Sequence, residues 1–246
     1  RWRYWVDAES FSEEFEINHA GHQWRNNMAR MNAYLQHRLP DPWGGLRELY
    51  VTLWGRYGLR HEDPTVAFDR RVELSSWIQF TNHWEMWAGA GYRFATLDDR
   101  ETRGGAFYSR APEAYGWLGG KTDTSRRIFA ESTVLPWMES TSPSMWADLL
   151  LTSVLFDRLS LNLFLRYQWR RDRPRWIEAW DSPAGARQIF GDLDSDEVEF
   201  KLSGVLGVTR ALTFQVFGQL LYSVGTYSRY RQLLPLDGGA TLLGPT

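Results

Sequence analysis

Leu159–Arg170 reads LSLNLFLRYQWR. Leu159, Leu161, Leu163, Leu165, Tyr167 and Trp169 alternate with Ser160, Asn162, Arg166, Gln168 and Arg170, and Phe164 is the one apolar member of the second set. Successive side chains of a β-strand point to opposite faces, so a period of two gives a strand with one apolar and one wet face. Strands of soluble sheets commonly run about 5–6 residues, and this stretch is twice as long. A tilted strand crossing a bilayer takes about 9–11 residues. Tyr167 and Trp169 close the apolar row where an interfacial girdle belongs. The stretch therefore predicts an all-β fold, an antiparallel transmembrane β-barrel of the bacterial outer membrane.

Composition agrees with that reading. The chain has 246 residues, 15% of them aromatic, including 14 Trp, an excess that two girdles would use. A mean hydropathy of −0.46 and the lack of any run of about 18 apolar residues exclude a helical membrane protein. They leave a barrel open, because half of each strand faces water. A formal charge of −2 gives no basic face for nucleic acid. With no Cys, disulfides and thiolate metal sites are excluded. The opening Arg1-Trp2-Arg3-Tyr4-Trp5 has no signal-peptide pattern. An exported barrel needs one, so residue 1 is read as an internal point of a longer precursor.

Alternation recurs along the chain. Met31, Ala33 and Leu35 oppose Arg30, Asn32, Tyr34 and Gln36; Leu49, Val51, Leu53, Gly55 and Tyr57 oppose Glu48, Thr52 and Arg56. Val72, Leu74, Ile78 and Phe80 oppose Asp69, Arg71, Glu73 and Gln79. Trp84, Met86, Ala88, Ala90, Tyr92 and Phe94 oppose Glu85 and Arg93. Met145 to Leu155, Val198 to Val208 and Leu212 to Tyr222 repeat the pattern. Trp84, Tyr92, Phe94, Tyr167, Trp169 and Tyr222 are the predicted girdle.

Outer-membrane barrels put short turns on the periplasmic side and longer loops outside. Thr81-Asn82, Asp157-Arg158 and Thr209-Arg210 are tight turns, while Leu97 to Tyr108 and Arg171 to Asp194 are long connections. Keeping the two kinds on opposite sides requires a further strand near Ser109 to Gly120, with Tyr115 and Trp117 on one face. Arg1 to Glu9 is then a rising strand and Ser10 to His22 an outer loop. About eleven strands result, the last ending outside. Single-chain bacterial barrels close with an even number, so residues 1–246 are read as one incomplete barrel domain of about 12–14 strands when whole.

The predicted lumen carries Arg56, Arg71, Glu73, Glu85, Arg93, Asp148, Arg166, Arg170, Glu197, Glu199 and Lys201. Opposed charge rows in a pore select solutes by size and sign; the competing reading is that long arginines close a lumen of about twelve strands. Tyr34, Trp54, Trp77 and Trp87 also face inward, either to stack on a ligand ring or as interior packing. His19 and His22 are spaced i, i+3, but metal sites need three or four convergent ligands, and neither a metal nor a cofactor is expected. Asp98, Asp99 and Glu101 beside Arg100 and Arg103 open an outer loop that His61, Glu62 and Asp63 in another loop could approach. Paired carboxylates with a His allow a rim hydrolase, with Asp98, Asp99 and His61 as its candidates; solvated loop tips are the commoner use of such charges. Gly104-Gly105 suits a turn with positive φ, and Arg170 to Arg175 suits lipopolysaccharide phosphate.

Three stretches resemble a family of outer-membrane barrels that follow a domain like carbohydrate-binding module family 9, the barrel itself being a domain of unknown function. They are Phe15-Glu16-Ile17-Asn18-His19-Ala20-Gly21 with Arg25-Asn26-Asn27; Phe80-Thr81-Asn82-His83-Trp84; and Leu97 to Gly105, followed by Thr122 to Arg126. Ala106 stands where that family commonly has Pro, and Asn82-His83 where it has Asn-Asp. The resemblance implies a sugar-binding neighbour domain and missing final strands, and supplies no catalytic residue. The expected role is non-enzymatic: a channel or transport component for carbohydrate-related solutes, or an anchor for a binding domain or envelope assembly. The alternatives are the rim hydrolase and a structural subunit. Expected partners are outer-membrane lipid and lipopolysaccharide, a carbohydrate ligand and envelope proteins, without nucleic acid.

Overall fold

The computed structural model describes residues 1–15, 25–98, 100–103, 106–156, 158–182, 185–236 and 239–245. All regular structure among them is β. The strands are β1 (Trp2–Phe11), β2 (Met28–Leu39), β3 (Leu46–Leu59), β4 (Ala67–Phe80), β5 (Glu85–Arg93), β6 (Thr96–Asp98), β7 (Tyr108–Arg110), β8 (Glu113–Lys121), β9 (Ile128–Glu139), β10 (Ser142–Leu155), β11 (Leu159–Ser182), β12 (Gly185–Gly207), β13 (Thr213–Leu236) and β14 (Gly239–Pro245). They form one sheet in the order β1-β2-β3-β4-β5-β8-β9-β10-β11-β12-β13-β14-β7-β6. The eleven long strands each pair antiparallel with their neighbours. The sheet is not closed: β1 has one neighbour, and so does β13 below Arg231.

Pairing in register keeps each face continuous from strand to strand. Tyr4, Leu35, Leu53, Leu74 and Ala90 stand directly opposite one another across β1 to β5, and Leu149, Leu165, Phe200 and Leu220 do so across β10 to β13. These outward side chains are uncovered, with Leu35, Leu53 and Leu74 at 43%, 47% and 55% exposure. Aromatics mark both ends of the apolar band. Trp2, Trp43, Trp84 and Phe156 are exposed at the turn end; Tyr92, Phe94, Tyr167 and Tyr222 are exposed toward the loop end, and Trp169 is half-buried there.

The tight turns lie together at one end. His83 and Phe156 take positive φ there, and the backbone closes from Phe80 to Trp84 and from Val208 to Leu212. At the opposite end the chain departs from the predicted loops. Arg171 to Ser182 and Gly185 to Asp194 are strand rather than irregular connection: β11 and β12 run 24 and 23 residues and stay paired to Ser182↔Gly185. Bulges between Arg170 and Arg173 and between Trp176 and Glu178 shift the inside-outside phase and erase the period from the sequence. β9 escaped alternation for another reason, since Leu135 and Trp137 share the wet face with Glu131 and Thr133. Pro136 sits where the pairing with β8 skips, as a residue without an N–H must.

The described residues between Phe94 and Pro112 form a strap. Its β6–β7 hairpin pairs in parallel with β14 through Tyr108↔Ala240, far across the sheet from β5. Tyr108 packs on Phe190 and Leu233, with Trp176 beside them, the one buried apolar cluster among the described residues.

Candidate functional site

The wet face is built from the charges the alternation placed there. Register lines up Asp7, Asn32, Arg56, Arg71, Arg93, Glu113 and Glu139 across seven neighbouring strands. Asn32 donates to both Asp7 oxygens at 3.0 Å and accepts from Arg56 Nε at 2.7 Å. Arg71 holds Asp69 at 2.7 Å with Arg56 3.6 Å away, and Arg93 holds Glu113 at 2.7 Å. On β10 to β13, Arg166 bridges Asp148 (3.8 Å) and Glu199 (3.6 Å), while Glu199 also takes Lys201 and Gln219. Arg170 lies 4.0 Å from Glu197. Glu73 accepts from the Tyr115 hydroxyl at 2.5 Å and Glu85 from Gln79 at 3.3 Å. Three arginines, Arg56, Arg71 and Arg93, thus stand side by side on this face, flanked by the carboxylates that pair with them.

The aromatics of the wet face are brought together by strand pairing. Tyr34 stands opposite Trp54, Trp77 opposite Trp87, and Arg56 lies over the Trp54 ring at 4.8 Å. The sequence reading left Tyr115 and Trp117 out of this set. Both stand opposite glycines, Tyr115 on Gly91 and Trp117 on Gly89, and Trp87 stands on Gly119. A Cβ at any of these glycines would collide with the ring across from it. The rings therefore occupy the space that a side chain at each of these glycines would need. Together with Tyr50, Gln36, Thr52 and Ser75, Trp77, Trp87 and Trp117 line a cavity of about 490 Å³.

At the loop end the strap's two described carboxylates, Asp98 and Glu101, are engaged. Asp98 accepts the N–H groups of Arg100 and Glu101, both at 2.8 Å, and pairs with Arg110 at 2.8 Å. Glu101 takes Arg110 (3.1 Å), Arg175 (3.3 Å) and the Trp176 N–H (3.3 Å). His61 Nδ1 lies 2.7 Å from Ser10 Oγ, and no hydrogen bond joins it to Asp98 among the described residues. Asp99, Gly104, Gly105, His19 and His22 lie outside the described residues. Arg170, Arg171, Arg173 and Arg175 pair with Glu197, Asp196, Glu139 and Glu101. Among the described residues no three His, Asp or Glu come together as a metal site, and no helix is long and apolar enough to cross a membrane.

Burial pushes the Asp98 carboxyl up, but the Arg110 guanidinium and the two amide N–H groups outweigh it and hold the carboxyl below the ordinary range. Burial, then Glu139, raises the Tyr108 phenol to about 12, so it stays neutral. A depressed carboxylate contributes stability that is present above its unfolded value, about 4, and is lost as pH falls through the lower folded value. The strap's hydrogen-exchange protection, taken relative to the intrinsic rate at each pH, should therefore be high at pH 7 and fall as pH drops below about 4. Unchanged protection down to pH 2 would remove Asp98 from the strap's anchorage.

Over residues 1–243 the chain matches the family described as a domain of unknown function (DUF5916). Neither the curated proteins nor the solved structures contain a match. With nearly its whole length matched, the chain belongs to the DUF5916 domain family.

Proposed function

We propose that this sheet is most of the wall of an outer-membrane β-barrel whose charged interior admits small polar solutes and is bridged by the strap at its outer end. One observation carries the reading: across eleven strands one face is uncovered and apolar while the other is paired charge and polar aromatics. Soluble monomers rarely leave contiguous apolar patches beyond a few hundred Å². Strands of 12–14 residues such as β2, β3, β4 and β10 match a tilted crossing of a hydrocarbon layer about 30 Å thick. Short turns at one end and long excursions at the other orient it as outer-membrane barrels are oriented. The free edges also fit. β1 and β13 rise in the same sense, so antiparallel closure between them takes an odd number of further strands, the first and last descending, and β14 descends beside the top of β13.

The test is conductance of the full-length protein in planar bilayers, wild type beside Arg56→Ala and Arg166→Ala. Each variant removes a cation from the wall and should move the reversal potential toward cation selectivity. Correctly folded protein that stays silent, even when the strap is released by Glu101→Ala, would overturn the channel reading in favour of an anchor or structural subunit.

A further inference from the structure

The aromatic cavity on the wet face is more than interior packing. Two of its lining rings, Trp87 and Trp117, each fill the space over a glycine of the facing strand, and Tyr115 does the same beside them. Trp117 covers Gly89 and Tyr115 covers Gly91, two positions apart on one strand, and the planes of these two rings differ by 20° with centroids 6.1 Å apart. Trp87 covers Gly119, and its Nε1–H donates to Thr133 Oγ1 at 3.3 Å, which fixes the ring in its plane. An aromatic pressed onto the backbone by one face turns its other face to the lumen. Glycine within a strand marks a place of close approach, and here it appears three times in one patch of β5 and β8. Trp77 and Tyr50 form a side wall, 5.2 Å apart at 55°.

The remaining lining fixes the chemistry of the occupant. Gln36 and Thr52 hydrogen-bond to each other at 3.1 Å, and Ser75 completes an uncharged polar edge; no Asp, Glu, Lys or Arg lines this cavity. On a wall otherwise rich in charge, a neutral pocket selects a neutral ligand, because an ion there would lose hydration without a counter-charge. Flat π faces call for a ligand with a flat apolar surface, and amide and hydroxyl edges for one with hydroxyl groups beside it. A pyranose ring, with its axial C–H face and equatorial hydroxyls, has both.

We infer that this cavity is a binding subsite for a neutral saccharide, with Trp87 and Trp117 as its stacking platform and Gln36, Thr52 and Ser75 as its hydroxyl partners. The inference rests on the reading of this face as a solute-accessible interior. A saccharide chain entering from the loop end would meet the charged row first and the platform below it, since Arg56, Arg71 and Arg93 lie nearer that end than Thr52, Ser75 and Trp87 do.

The experiment is titration calorimetry of the full-length protein in detergent with maltohexaose and, separately, cellohexaose, with the folded barrel verified by its heat-modifiable migration. Binding is expected in the millimolar range for at least one of the two, weakened about tenfold by Trp117→Ala and less by Trp117→Phe. Trp180→Ala, on the β11 extension, should leave it unchanged. If Trp117→Ala does not fold, Trp117→Phe and Thr52→Ala carry the test. Folded protein that binds neither oligosaccharide overturns the inference, as does binding unaffected by every platform and edge variant. The channel reading fails separately: a protein silent in bilayers that still binds the sugar through Trp117 is a saccharide-binding barrel and not a pore.

Discussion

Glu101→Ala is expected to detach the strap from the wall. Glu101 is buried and takes Arg110, Arg175 and the Trp176 N–H together. Removing it leaves Arg110 half-buried with only Asp98 opposite and Arg175 without its carboxylate. Removing one member of a buried ion pair costs about 3–5 kcal/mol, and the lower end applies because Arg175 reaches solvent. Such a loss exceeds what Tyr108 recovers by packing on Phe190 and Leu233, since full burial of one large side chain stabilises by about 1.5–3 kcal/mol. Hydrogen exchange should therefore rise across 96–110, while β2 to β4 remain protected. Glu101→Gln, which keeps an acceptor for the Trp176 N–H, should lose less. Equal protection in wild type and Glu101→Ala would mean that β7–β14 pairing alone holds the strap.

The second large effect is expected at Asp192. The extension of β11, β12 and β13 turns at one level, where Asp172 and Arg229 take positive φ and pairing shifts between Phe190 and Asp192. Buried Asp192 accepts Arg229 Nε at 2.8 Å and also pairs with Arg231, while Arg229 reaches Asp172 as well. One carboxylate thus joins two arginines across the bend. A Cβ on Gly191 beside it would meet Ile177 Cδ1 at 2.8 Å, so that side chain would have to shift. A left-handed conformation costs a non-glycine residue about 1–2 kcal/mol, so Arg229 holds it only while the ion pairs do. Asp192→Ala should destabilise the extension by about 2 kcal/mol, within the range for hydrogen bonds to charged groups, and Asp192→Asn by less. Proteolysis confined to residues 171–194 and 225–236 would show it; a uniform loss over all strands would contradict a local bend.

How far the sequence could be read follows from how local each signal is. Leu159 to Arg170 declared its two faces because the period of two is carried by adjacent residues, and the same holds for β2 to β5. The common face of Tyr34, Trp54, Trp77 and Trp87 came with it, as did the charged row on that face. Past Arg170 two bulges changed the phase, so Trp176, Ile177 and Trp180 read as loop although they are strand. Nothing in the sequence near Trp117 points to Gly89, because the pair is made by the register between β5 and β8. The strap was legible as a charged connection and no further. Its partner strand begins at Gly239, and its carboxylates bind arginines on β11 and on the strap itself.

The account stands or falls on whether the apolar face meets lipid. The 246-residue chain has no Cys, so single cysteines can be placed at Leu161, Asn162, Leu163, Phe164 and Leu165 and labelled with a nitroxide in liposomes. Collision with oxygen reports lipid, and collision with a water-soluble nickel chelate reports the aqueous interior. The account predicts oxygen-dominated collisions at 161, 163 and 165 and nickel-dominated collisions at 162, with 164 following 162. Low accessibility to both reagents at 161, 163 and 165 would mean that a second protein layer covers that face, and would contradict a membrane-spanning barrel.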